Sequence, residues 1–117
     1  MKNFESRRTR YLQDALPIRL GGLAANLSRI ASFSRHAGIR ETVSEIMLET
    51  RWFIEWTALE LEIIKAAELV KLQVQLALWD LESRQHWQDE SWRNELSGKA
   101  REWTQRVLEM SGLLKTA

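Results

Sequence analysis

The chain has 117 residues, 44% hydrophobic and 28% charged. That balance specifies one globular domain over 1–117 and excludes a disordered tail, a collagen-like repeat or a disulfide scaffold. Lys plus Arg number 17 against 16 Asp plus Glu, a net charge of +1, so the strong positive field of a non-specific nucleic-acid binder is absent and no such partner is expected. The chain contains no cysteine, which removes thiolate metal sites and redox thiols and suits a reducing cytoplasm. No segment approaches the about 18 apolar residues of a membrane span, and no apolar core of a signal peptide follows the basic first residues, so a cytoplasmic protein is expected.

Pro17 is the only proline, and the glycines stand at 21, 22, 38, 98 and 112, which leaves the 59 residues from Ile39 to Ser97 without a strong helix stop. β-Branched residues are scattered, no run alternates with period two, and good helix formers dominate. The fold class is therefore all-α.

Residues 3 to about 15 place Phe4, Tyr11, Leu12 and Leu16 among Arg7, Arg8 and Arg10. Such a weak apolar stripe needs a surface to lie on, and the three arginines, lacking a wider basic face, read as a solvated end. A helix over about 17–36 follows, with Pro17 in its first turn and Leu20, Leu23, Leu27 and Ile30 at steps of three and four. Its small residues Gly21, Gly22, Ala24 and Ala25 admit a close neighbour, and Gly38 is expected as its left-handed cap, with Arg35 and His36 near the negative end of the dipole.

The stretch from 39 to 84 carries two apolar seams. Ile54, Ala58, Leu61, Leu69, Leu72, Leu76 and Trp79 form one; Trp56, Leu59, Ile63, Ala66, Val70, Val74, Ala77 and Leu81 form the other. At 100° per residue the seams lie about 160° apart. The polar residues Glu55, Glu62, Gln73 and Asp80 share a strip between them, which favours one continuous helix, roughly 70 Å long. A final helix over about 90–111 starts at Asp89 or Ser91, carries Trp92, Leu96, Ala100, Trp103, Val107 and Met110 on one face, and stops at Gly112. The expected architecture is a helical bundle in which the long central helix is flanked by antiparallel helices that meet near its middle. Because neither flank covers both seams, dimerisation completes it. A break near Thr57 to Glu60 would instead give a monomeric four-helix bundle.

Residues 1–40 hold eight Lys or Arg against Glu5 and Asp14, whereas residues 41–70 hold Arg51 and Lys65 against seven Glu. These opposite blocks belong to elements expected to be neighbours.

Six tryptophans, at 52, 56, 79, 87, 92 and 103, are many for this length. Trp56, Trp79, Trp92 and Trp103 fall on apolar stripes and read as core, while Trp52 and Trp87 fit less well and are read as subunit or partner contacts; Trp56, on the second seam, also enters the candidate interface. The candidate interface is accordingly Trp52, Trp56, Leu59, Ile63, Val70, Val74, Leu81 and Trp87.

No phosphate loop, nucleophile elbow or HExxH occurs. Glu82, His86 and Glu90 stand at i, i+4 and i+8, but no ExxH element accompanies them, so they read as an ion-paired strip and neither metal nor cofactor is expected. Arg29 and His36, with six residues between them, resemble the Arg and His spacing of the HEPN class of helical RNases and toxins, which implies a catalytic pair active only across a dimer. Ile30 stands where that class has a polar residue.

The strings YLQDALPIRLGGLAANLSRIASF, WTALELEIIKAAELVKLQVQLALW and RVLEMSGLL resemble a group of small, uncharacterised helical proteins of cyanobacteria. The resemblance implies a lineage and a cytoplasmic location and carries no chemistry. The sequence specifies a helical fold and no biochemical activity; the expectation is a non-enzymatic assembly protein that pairs with itself, or with another protein, with a HEPN-like dimeric RNase or toxin using Arg29 and His36 as the alternative.

Overall fold

A computed structural model describes residues 3–113, in which five α-helices follow one another without a strand. They are α1 (Phe4–Leu12), α2 (Leu16–Phe33), α3 (Arg40–Thr57), α4 (Ile63–His86) and α5 (Glu90–Ser111), with 3-10 turns at Ala37–Ile39 and Ala58–Glu60. No described helix is long and apolar enough to cross a membrane.

Cross-helix hydrogen bonds set the topology. Asn26 of α2 donates to Glu49 of α3, Ser44 of α3 donates to Asp80 of α4, and Gln73 of α4 donates to the Arg51 carbonyl. Ser97 of α5 donates to the Ala31 carbonyl of α2 at 2.7 Å, while Lys65 at the start of α4 reaches the Met110 carbonyl at the end of α5. Each neighbour therefore runs antiparallel to the next, and α2 to α5 make an up-down-up-down four-helix bundle. The core is filled by Leu20, Leu23, Leu27, Ile30, Met47, Ile54, Leu69, Leu72 and Leu76. α2 and α5 share the most extensive helix contact, made possible by buried Ala24, Ala31, Ser97 and Ala100. At Gly21 a Cβ would stand 3.1 Å from Leu113 Cδ1 and Ala24 is buried, so these two serve close packing, whereas Gly22 faces open space and Ala25 is exposed.

The long central helix is corrected: α3 ends at Thr57 and α4 starts at Ile63. Leu61 (ψ 156°) and Glu62 (ψ 156°) are extended and reverse the chain, although neither Gly nor Pro stands there. The cause is tertiary. Buried Thr57 pairs with the Tyr11 hydroxyl at 2.9 Å, and Tyr11 donates to the Arg19 carbonyl at 3.0 Å. Arg19, also buried, grips Glu60 with two hydrogen bonds of 2.7 Å each. Reversal gives up about four helical hydrogen bonds at each new terminus, worth net about 1 kcal/mol apiece. One is regained as Leu61 N–H to the Ala58 carbonyl, and the ladder of α4 opens at once with Ala66 N–H on the Glu62 carbonyl. In exchange Ile54 of α3 and Leu69, Leu72 and Leu76 of α4 enter one core, each fully buried and worth about 1.5 to 3 kcal/mol.

The flanking helices consequently do not meet at the middle of a rod; they face each other along their lengths. Gly38 is also corrected, since the one positive-φ glycine among the described residues is Gly112 (φ 77°), at the end of α5. α2 stops earlier, at Phe33, where the Ser34 hydroxyl turns back onto the Ile30 carbonyl at 2.6 Å and competes with the backbone ladder. The start of α5 follows expectation, with the Asp89 carboxylate accepting from the Ser91 and Trp92 amides.

The charge blocks do meet. Arg7 of α1 pairs with Glu49 of α3 at 3.0 Å, and Arg19 with Glu60. α1 lies on α3 through Phe4 against Trp52 (5.0 Å between ring centroids) and Tyr11 stacked on Phe53 (4.0 Å).

Two titrations follow. Arg19's hydrogen bonds hold the Glu60 carboxyl below its ordinary 4.5. The unfolded chain therefore takes up that proton more readily, and the pair's stabilisation, present above 4.5, is lost as pH falls below it. The urea midpoint of the native chain should drop between about pH 6 and about pH 3, with a shallower drop in Glu60→Gln. Burial pushes the Tyr11 hydroxyl from 10.0 to about 12. Since Tyr11 is the only tyrosine, tyrosinate absorbance should titrate near 12 or together with alkaline unfolding, but near 10.0 in concentrated urea.

Candidate interaction face

α4 is apolar on two sides, and the bundle covers one. Leu69, Leu72, Leu76 and Trp79 point inward, between 0% and 3% exposed. On the opposite side Ile63 is 84% exposed, Ile64 73%, Val70 48%, Val74 56%, Leu78 47% and Leu81 60%, and Leu59 in the preceding turn is 96% exposed. Monomers rarely leave so many large apolar side chains contiguous in water, which makes this face the candidate contact surface.

The register of this face is regular. Ile63, Ala67, Val70, Val74, Ala77 and Leu81 follow at alternating steps of four and three, the spacing of a coiled-coil seam, and at 100° per residue they fall within about 80° of arc. Ile64, Lys71 and Leu78 flank one side. Lys71 there pairs with Glu68 one turn earlier, at 3.6 Å. On the other flank Gln73 and Asp80 turn to α3, as the polar strip read from the sequence requires, but across a hairpin instead of along a rod.

Of the interface residues expected from sequence, Leu59, Ile63, Val70, Val74 and Leu81 lie exposed together on or beside this face. Trp52 and Trp56 are half-buried against Phe4 of α1, with centroid distances of 5.0 and 5.4 Å. Trp87 is corrected as a partner contact. It is 3% exposed and its Nε1 donates to the Ala37 carbonyl at 2.6 Å. Its own carbonyl accepts from buried Arg93 at 2.6 Å, so it seals the end of the bundle where α4 turns into α5. The sequence reading missed Ile64, Ala67 and Leu78, having taken Ala66 as the small residue of the seam. At about 100° per residue Ala67 falls about 40° from Ile63, inside the arc of the stripe, whereas Ala66 falls about 60° away on the other side and outside it.

Elsewhere several polar residues have structural partners. Arg29 donates to Asn26 Oδ1 at 3.0 Å, Asn26 donates to Glu49 at 3.1 Å and Arg7 donates to the same carboxylate, a chain that ties α1, α2 and α3 together. His36 lies exposed beyond the end of α2 with an extended backbone (φ −116°, ψ 120°), and no hydrogen bond joins it to Arg29 among the described residues. His86 packs its ring beside Trp92, 6.2 Å between centroids. Among the described residues no group of three His, Cys, Asp or Glu is placed to hold a metal ion. A cleft between α4 and α5, about 580 Å³, is lined by Lys65, Glu68, Lys71, Arg106 and Glu109 with Ile64 and Met110, a rim of solvated charges of both signs.

No protein-family model, curated protein or solved structure matches the chain, so the resemblance to the cyanobacterial group rests on its three strings.

The polar chain engages Arg29 and does not include His36. Arg29→Ala, which strips Asn26 Oδ1 of its donor, should lower stability by about 1 kcal/mol in urea unfolding. His36→Ala should change it by less than about 0.5 kcal/mol.

Proposed function

We propose that the protein is a non-enzymatic assembly module that works as a homodimer, with the outer face of α4 as its contact surface. One observation carries the reading: an unbroken heptad-spaced apolar stripe from Ile63 to Leu81 stands in water on the side of α4 that faces away from its own core. Removing the exposed half or more of six large apolar side chains from water, at about 1.5 to 3 kcal/mol for full burial of each, gives on the order of 10 kcal/mol for two chains. Set against the low end of the about 4 to 15 kcal/mol that association costs, that figure leaves about 6 kcal/mol, a Kd on the order of tens of micromolar, which sets the useful test concentration. We place this assembly in the cytoplasm, a setting that suits a chain without cysteine.

The same geometry argues for assembly over chemistry. A catalytic site concentrates perturbed titratable groups in a concave pocket. The groups with shifted titration here, Tyr11, Arg19 and Glu60, are the three that hold the chain reversal, and they are engaged with one another.

The test is sedimentation of the native chain and a Val74→Glu/Leu81→Glu variant. The native chain should sediment as a dimer at tens of micromolar and the variant as a 13.7 kDa monomer. Because both positions are exposed, the variant should keep its helical circular dichroism and its urea midpoint within about 0.5 kcal/mol of the isolated native subunit. A native chain that stays monomeric throughout this range defeats the proposal.

A further inference from the structure

Resting on the reading of α4 as a homodimer surface, we infer that the second copy docks antiparallel, α4 against α4, with the two-fold axis crossing at the level of Leu72.

The stripe reads the same in both directions. Ile63, Ala67, Val70, Val74, Ala77 and Leu81 have spacings symmetric about position 72, and their sizes run large, small, medium, medium, small, large. In a two-fold contact, if residue i meets j then j meets i. An antiparallel partner centred at 72 therefore sets Ile63 on the partner's Leu81, Ala67 on the partner's Ala77 and Val70 on the partner's Val74. Each layer matches size with size, and each joins an a position of one heptad to a d position of the other, the layering of antiparallel coiled coils. A parallel dimer superposes every position on itself and makes no demand for a palindrome.

The flanks select the same orientation independently. Ile64 and Leu78, 73% and 47% exposed, lie on one side of the stripe and leave the other side to Gln73 and Asp80. An antiparallel two-fold brings equal flanks together. Ile64 then meets the partner's Leu78 within two residues of the same level, about 3 Å along the axis, and both are covered. A parallel two-fold brings opposite flanks together and sets Leu78 against the partner's Gln73. The antiparallel arrangement also places Lys71 near its own copy at the axis, where Glu68 of the same helix, 3.6 Å away, offsets the charge.

The chain lacks cysteine, which makes disulfide trapping unambiguous. Ala67→Cys and Ala77→Cys, one carrying a mass tag, are mixed at tens of micromolar, allowed to exchange subunits and oxidised with glutathione disulfide. Helical circular dichroism and sedimentation are recorded first, to show that each variant folds and associates. The inference expects cross-links between the two variants, formed about a hundredfold or more faster than random collision because facing thiols see a millimolar effective concentration. It expects none within either variant alone. Dimers that cross-link within each variant overturn the antiparallel arrangement and leave the homodimer standing. Dimers that cross-link in neither way move the contact off this face and overturn the inference. Chains that stay monomeric overturn both readings, and chains that stay monomeric but co-sediment with phosphatidylglycerol vesicles assign the face to a lipid surface instead.

Discussion

The whole fold hangs on the reversal between α3 and α4, and that reversal is held by two contacts made from another part of the chain. Arg19 of α2 grips Glu60 and is itself buried; Tyr11 of α1 links Thr57 to the Arg19 carbonyl. The guanidinium can lie buried at this point because the Glu60 carboxylate and the Asp14 backbone carbonyl accept its hydrogen bonds, which is the condition under which a buried charge is tolerated. With the reversal in place, the apolar sides of α3 and α4 share one core. Without it they would lie on a rod with no cover.

A second consequence concerns α1. Nine residues are too few for a helix to persist alone, yet α1 contributes Arg7 to Glu49, Phe4 to Trp52 and Trp56, and Tyr11 to the reversal. It acts as a strap across α3. Two of the tryptophans with no evident place on the core stripes, Trp52 and Trp87, find their use in such closures: one under the strap, the other over the end of the bundle with its indole N–H on the Ala37 carbonyl.

Hairpin formation solves the problem of the first seam and leaves the second untouched. A helix in a four-helix bundle contacts two neighbours and a shared interior, which covers roughly two thirds of its circumference. The residues from Ile63 to Leu81 that face outward fall in the remaining third. Their apolar character has no account within a single chain, and the proposed homodimer is built on them.

The sequence by itself determined the all-helical class, the starts of α2 and α5 from Pro17 and Asp89, the end of α5 at Gly112, the inward positions Leu69, Leu72, Leu76 and Trp79, and the apolarity of the opposite side of α4. These are local properties, read from period, caps and backbone preference. Only the tertiary structure decided that the helix between 39 and 84 breaks, at the Thr57 to Glu60 position that the sequence offered as the alternative, that α2 stops at Phe33 before reaching Gly38, and that Trp87 turns inward. No residue at the break disfavours a helix strongly, and the polar strip of Glu62, Gln73 and Asp80 fits both a rod and a hairpin. The choice between them was made by Tyr11 and Arg19, 46 and 41 residues away in sequence from Thr57 and Glu60. Periodicity reports which side of a helix is buried, but energy gained by contacts between distant segments decides against what.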